Sequence, residues 1–447
     1  MNVSLQTYDD SLNSTFQIFT PPPKLTISEW SDRNRILSAE SSAEPGKWRT
    51  SRTPYMREPM DAITEPDVET VVFKASSQVG KTEYLLNICG YFMDQEPAPI
   101  LLVEPTLDIA EAYSKDRLAP MIRDTPPLSE KILTGAKDTE NTILHKKFPG
   151  GHITLTGSNS AAGLSSRPIR IVLCDEVDRY AASAGTEGNP IKLAIKRATT
   201  FWNRKKVYAS SPTIENLSNI DAAFQASDRR FFQVPCFACN TFQKLEWGYV
   251  RWEPDKPETA LYVCSHCGIG WDDAQRQDAI QSGRWIAEAE FKGTAGFFIW
   301  EAYNPWVQLK DIVTAFLDAK HRADRGDNEP LKAFINTSLG ETWKEKSETA
   351  DPGPLIIRRE NYNADAVPWQ VLYLTASVDV QDDRLEYEVV GWRSPKRGDT
   401  EESWGLEKGN LYGNPAQKEL WDELDKIILR EYRTEDGRHF VRFTRSS

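Results

Sequence analysis

Residues 73–86 read FKASSQVGKTEYLL, and the architecture of the chain turns on how they are read. After Phe73 the slots Ala75, Ser76, Ser77, Gln78, Val79, Gly80, Lys81 and Thr82 match the phosphate-loop pattern G-x-x-x-x-G-K-[ST], with alanine in place of the first glycine. Such a loop exists because backbone N–H groups wrap a phosphate, a lysine reaches the terminal phosphates and a hydroxyl binds Mg²⁺. A first slot carrying only a methyl group still allows a tight turn. A β-like run ends at Phe73 and a helical run begins at Lys81, which sets a helix N-terminus at the anion. The competing reading is a chance Gly-Lys-Thr at a helix start.

The flanking sequence favours the loop. ETVVFK, PILLVE, HITLTG, IRIVLCDE and KKVYASS are short runs rich in Val, Ile and Leu, as expected of strands buried on both faces. Helical segments such as KTEYLLNICGYFMD and LDIAEAYSKDRLAPMIR lie between them. This alternation predicts an α/β fold with a mostly parallel sheet, in which phosphate sites sit at the carboxyl ends of strands.

IRIVLCDEVDRY supplies the partner of the loop: a buried strand ending in Asp175 and Glu176. An ATPase needs one acid in the Mg²⁺ shell and another to orient and deprotonate the attacking water. We assign Asp175 to Mg²⁺ and Glu176 to the water; two acids capping a surface strand are the alternative. YASSPT ends a further strand in Ser210, Ser211 and Thr213, hydroxyls placed to sense a terminal phosphate, although Ser-Pro-Thr is also an ordinary turn.

CFAC (Cys236, Cys239) and CSHC (Cys264, Cys267) form two C-x₂-C pairs, the spacing of a structural zinc site with all four positions filled. Gly268 suits the turn that follows the last cysteine, and His266 is the variant ligand. Cys89 and Cys174 lie in apolar surroundings and read as core.

The 447-residue chain has a net charge of −12, so it is not basic on every face. Charge is nevertheless clustered: NPIKLAIKRATTFWNRKK carries Lys192, Lys196, Arg197, Arg204, Lys205 and Lys206 without an acid, either a face for a phosphate backbone or a solvated helix. No apolar run approaches the roughly 20 residues of a membrane span, and the N-terminus has no signal-peptide layout, so a cytoplasmic protein is expected.

Toward the C-terminus, residues 296–345 read as helical and residues 345–369 as a linker. VLYLTASVDVQDDRLEYEVVGWR follows as two strands, EESWGLEK as a third and residues 415–432 as an amphipathic helix. Asp379 stands in the first of these strands, which is otherwise apolar. A buried carboxylate is costly unless paired or metal-bound, so Asp379 is a candidate metal ligand of an RNase H-like nuclease, with Glu386 and Glu402 as local companions.

Taken together, PYMREPMD, ASSQVGKT, VLCDEVDRY, SSPT, the paired cysteines and SVDVQDDRLEYEVVGW followed by EESW resemble the lambda-type large terminase subunits of tailed bacteriophages over residues 28–447. The resemblance implies an ATP-driven motor that translocates double-stranded DNA into a procapsid and a metal-dependent nuclease that cuts the concatemer. It implies ATP, Mg²⁺, structural Zn²⁺ and Mg²⁺ or Mn²⁺ at the nuclease. The implied partners are double-stranded DNA, a small terminase subunit, the capsid portal and further copies of the chain, and the implied location is the host cytoplasm, with no membrane partner. Tyr55 would contact adenine, Lys81 and Thr82 the phosphates and Mg²⁺, and Asp379 the first nuclease metal.

The expected organisation is a flexible segment (1–27), a P-loop ATPase motor (28–234), a zinc-knuckle module (235–290), a helical region and linker (291–369) and the first part of an RNase H-like domain (370–447). Many terminases carry an arginine where Ser77 stands, so Arg167, Arg170 or a neighbouring subunit is expected to supply it. The nuclease reads as incomplete, and weak or no cutting by this chain alone is expected. A helicase-like or remodelling DNA-dependent ATPase and a non-enzymatic zinc-bearing DNA scaffold are the rival readings. The first should carry a second motor sheet, and the second leaves Lys81, Asp175 and Glu176 without a role.

Overall fold

The computed structural model describes residues 24–132, 141–165, 167–345, 362, 364–393 and 402–443. The chain forms two compact units, Met1–Glu345 and Lys346–Ser447. Most of the expected flexible lead-in and of the expected linker lies outside the described residues.

The first unit is built on a ten-stranded sheet. The loop strand Thr70–Ala75 pairs in parallel with Lys205–Ser210, which pairs in parallel with the carboxylate strand Ile171–Asp175. Ile100–Glu104 and then Gly151–Gly157 extend the sheet beyond the carboxylate strand, again in parallel. Every residue of Ile171–Asp175 and Ile100–Glu104 is buried, which is why these segments read as unbroken apolar runs rather than alternating ones. Because the central strands are parallel, their carboxyl ends meet at one edge, and loops there can share a ligand.

On its other side the loop strand pairs in parallel with Thr294–Ile299, placing Phe297 opposite Phe73 and Ile299 opposite Ala75. That segment falls where the sequence reads as helical. It is a strand because Ala295, Phe297 and Ile299 fill the core and because Gly296 admits a neighbour that no side chain would: a Cβ there would lie 1.8 Å from Ser227 Oγ.

Arg230–Pro235 follows Thr294–Ile299 in the sheet and carries Phe242–Lys244 and Arg284–Ala287 as antiparallel partners. Between these two the chain makes an excursion, a small antiparallel sheet of Val250–Glu253, Lys256–Val263 and Gly270–Trp271. Trp271 and Tyr262 are fully buried in it, their rings packed in a tilted arrangement at 5.3 Å.

The second unit holds a three-stranded antiparallel sheet, Tyr373–Val380, Arg384–Arg393 and Glu402–Tyr412. The helix Lys418–Ile428 turns Leu420 and Leu424 onto Leu385 of the middle strand.

Candidate active site

Ala75 closes its strand in extended backbone, fully buried, so the first slot of the loop needs no left-handed conformation and alanine fits it. The positions that do need one are Gln78, at φ 60°, and Gly80, at φ 95°. At Gly80 a Cβ would also meet Met56 Cε at 2.6 Å, so glycine is required twice over. The 14-residue helix Lys81–Asp94 starts directly after Gly80, and its first N–H groups have no intrahelical acceptor.

Four backbone groups of the loop are held from outside it. Ser76 N–H donates to Ile299 O at 3.0 Å and Ser77 N–H to Thr337 O at 2.7 Å. Asn304 Nδ2 donates to Gln78 O at 2.9 Å, and the Tyr55 hydroxyl to Val79 O at 3.2 Å. The left-handed Gln78 is thereby held on the carbonyl side by a nearly buried amide.

Lys81 Nζ gathers the rest of the site. It donates to Ser76 O at 3.0 Å and to Ser211 Oγ at 2.7 Å, and it lies 3.4 Å from Glu176 Oε1. Ser211 follows the strand between loop and carboxylates, so it arrives where the sheet order puts it. Glu176 adopts a left-handed backbone at φ 49°, which lifts its carboxylate off the strand axis; its N–H is shared by Ala209 O and Asp175 Oδ1. Glu176 Oε2 is a buried acceptor with no hydrogen-bond partner among the described residues, 3.8 Å from Arg179 Nε. Asp175 sits behind it, 6% exposed; burial, reinforced by the charge of Glu176, pushes its carboxyl up to about 7. A cation beside these carboxylates would favour their ionised forms, the chemistry of a Mg²⁺ shell.

A cavity of 780 Å³ opens over the loop, lined by Ser77 through Glu83, Glu176, Arg49, Arg52, Glu44 and Trp306. Thr82 lines it. Its size suits a nucleotide rather than an ion alone.

Several expected residues lie elsewhere. Tyr55 is fully buried and does not line the cavity; its ring packs on Phe232 and its hydroxyl braces the loop. Arg170 precedes the carboxylate strand, so it sits at the end away from the loop, paired with Glu96 and stacked on Phe92. Arg167 is exposed and hydrogen-bonded to His145. The guanidinium nearest the paired acids is instead that of Arg179, within VLCDEVDRY itself. The basic stretch divides: Arg204 and Lys206 are paired with Glu69 and Lys205 is capped by the carbonyls of Glu65 and Val68, leaving Lys192 and Lys196 exposed on Pro190–Lys196.

Glu104, at the end of its strand beside the carboxylate strand, is singled out by the fold alone. It is 2% exposed, its Oε1 has no partner among the described residues, and burial, with Asp175 and Glu176 nearby, pushes it up to about 9. Nothing in the run PILLVE distinguishes this acid from a surface one, since only the sheet order sets it beside Asp175.

The four paired cysteines converge. Their sulfurs all lie within 4.8 Å of one another, with Cys236 to Cys267 at 3.8 Å and Cys239 to Cys264 at 3.9 Å. Tetrahedral zinc with Zn–S bonds of about 2.3 Å requires sulfurs roughly 3.8 Å apart. The two knuckles repeat one backbone pattern: Cys236 N–H to Thr241 O and Asn240 N–H to Cys236 O, then Cys264 N–H to Ile269 O and Gly268 N–H to Cys264 O. The residues after each pair, Asn240 and Gly268, are left-handed. The donor set and spacing fit zinc, and His266 is not part of the cluster.

Asp379 is exposed, not buried, because it lies near the end of its strand; Gln381 donates to it at 2.8 Å. The register sets it opposite Glu386, on the same face. Glu402 pairs opposite Arg393, at the other end of the middle strand, so it does not join them. Among the described residues the cysteine cluster alone brings three or more ligating side chains together.

Comparison with known proteins gives concordant matches. The profile for phage terminase large subunit gpA, ATPase domain, matches residues 42–285, and that for the gpA endonuclease domain residues 294–443. The terminase large subunit of Enterobacteria phage P21 is 32% identical over 93% of this chain and 67% of its own length. That of Escherichia phage lambda is 30% identical over 94% and 68%. The crystal structure of the HK97 bacteriophage large terminase aligns with 90% of this chain and 71% of its own at a TM-score of 0.45 and 11% identity. Among the described residues no helix is long and apolar enough to cross a membrane.

Proposed function

Because this chain belongs to the gpA family of phage terminase large subunits, DNA-packaging motors with an ATPase and an endonuclease domain, we propose a division of labour among its residues. The observation that carries it is the meeting of three separate segments at one ammonium group: Lys81 Nζ with Ser211 Oγ at 2.7 Å and Glu176 Oε1 at 3.4 Å.

In this reading the loop from Ala75 to Thr82 binds the phosphates of ATP, with the N–H groups at the start of the helix aimed at them. Lys81 neutralises charge on the terminal phosphate. Bound Mg²⁺ would supply further neutralisation of the phosphate oxygens. Thr82 and Asp175 would hold it. Glu176, which lines the cavity, accepts a hydrogen bond from the attacking water and takes its proton. Ser211 follows Lys81, so a change at the terminal phosphate is passed to the strand Lys205–Ser210. The cysteine cluster holds zinc as a structural brace.

Double-stranded DNA is the polymer moved, with Lys192 and Lys196 as the exposed phosphate contacts. The small terminase subunit, the capsid portal and further copies of the chain are the proposed partners in the host cytoplasm. The second unit supplies an RNase H-like nuclease sheet, with Asp379 and Glu386 on one face as metal ligands that bind Mg²⁺ or Mn²⁺. Its three antiparallel strands followed by a helix support that reading.

ATP turnover by the purified chain, with and without linear double-stranded DNA, tests the motor: DNA should raise the rate. A rate indifferent to DNA would contradict coupling of hydrolysis to translocation.

A further inference from the structure

At the mouth of the cavity two side chains from one stretch and a third from far along the chain form a closed cluster. Arg52 stacks over Trp306, its Cζ 5.3 Å from the ring centroid. Glu44 accepts from both, at 2.7 Å from Arg52 Nη2 and 2.7 Å from Trp306 Nε1. These hydrogen bonds hold the Glu44 carboxyl below its ordinary range, so it is ionised and an acceptor only. Trp306 is 50% exposed, a large aromatic surface that no core explains.

This cluster is fixed relative to the phosphate loop. Asn304, 3% exposed, donates from Nδ2 to Gln78 O at 2.9 Å and accepts from Trp306 N–H at Oδ1 at 2.8 Å. One amide therefore spans from the left-handed residue of the loop to the backbone of the exposed tryptophan.

We propose that Arg52 and Trp306 form the wall on which the nucleotide's base stacks, with Glu44 holding the guanidinium against the indole. The proposal rests on the loop being an ATP site. A guanidinium on an indole face makes a flat platform, and stacking there is indifferent to the identity of the base. Asn304 is a positioning residue that keeps the distance between base wall and phosphate loop constant.

The test is calorimetric binding of ATP and inorganic tripolyphosphate in a Glu176→Gln background, which keeps the nucleotide intact. Trp306→Ala should weaken ATP about tenfold and leave tripolyphosphate unchanged, and Trp306→Phe should restore most of the loss. Unchanged ATP affinity in Trp306→Ala, or an equal loss for ATP and tripolyphosphate, would overturn the base wall. Failure of Lys81→Ala to weaken either ATP or tripolyphosphate would instead remove the phosphate-loop reading, and the base wall with it.

Discussion

The amide of Ser77 donates to the carbonyl of Thr337 at 2.7 Å, joining the phosphate loop to a segment some 260 residues further along the chain. Gly340 completes the contact: it is left-handed at φ 67°, and a Cβ there would lie 3.0 Å from Ser76 N and 3.3 Å from Phe298. Gly340→Ala should therefore crowd the loop and strain the backbone by about 1–2 kcal/mol. Melting temperature and the KM for ATP check this: the first should fall and the second rise. A variant with unchanged KM would show that the segment does not hold the loop in a binding geometry.

Ser211→Ala removes the hydroxyl that receives the Lys81 ammonium. Hydrogen bonds to charged groups contribute about 1.5–3 kcal/mol. We expect turnover to fall about tenfold or more with nucleotide binding largely kept, read from kcat and equilibrium binding side by side. Equal loss in both would make Ser211 a scaffold for the loop rather than a link to the neighbouring strand.

Glu104 makes a pH prediction whose sign follows from its environment. Its carboxyl is raised from 4.5 to about 9 by burial first and by Asp175 and Glu176 second. The folded chain therefore holds a proton that the unfolded chain releases. Stability from this group is present below about pH 4.5 and is lost as pH rises toward 9. Glu104→Gln should melt higher than the parent at pH 8.5, with the gap closing toward pH 5. A gap that widens on acidification would mean that Glu104 is ionised in the fold.

Much of the site is legible along the chain because its parts are local. The loop, the paired acids of VLCDEVDRY and the two cysteine pairs each need only a few adjacent residues to state their chemistry. What escapes is what the sheet and long-range packing bring in. Asn304 and Thr337 act through one side chain and one carbonyl, and neither forms a motif. Glu104 becomes exceptional only by lying next to Asp175. Tyr55 stands close to the site in space, but beneath the loop rather than in the cavity. The basic run from Lys192 to Lys206 reads as one feature, yet Glu69 claims Arg204 and Lys206, an ion-pairing that composition cannot anticipate. The sequence reading of Asp379 rests on the cost of burying a carboxylate in an apolar strand; at the strand end that cost does not arise.

The cysteine cluster predicts one zinc per chain and a structural role. Cys239 is exposed, so Cys239→Ala removes a ligand without opening a cavity. Metal content should fall and the melting temperature with it, while added zinc should not restore the variant. A metal-free parent of unchanged stability would contradict the zinc assignment.

Asp379→Ala measures the second unit. The expectation that this chain alone cuts DNA poorly is contradicted by robust Mg²⁺- or Mn²⁺-dependent cleavage that Asp379→Ala abolishes. Glu386→Ala should then follow Asp379→Ala, and Glu402→Ala should not, since the register separates it from them.

The central claim is that Glu176 takes the proton of the attacking water while Lys81 and the loop hold ATP. Steady-state ATP hydrolysis by Glu176→Gln, alongside its ATP affinity and with linear double-stranded DNA present, tests it most directly. The account predicts turnover lower by about 10²-fold or more with affinity retained. Turnover equal to that of the parent would contradict it and place the base elsewhere.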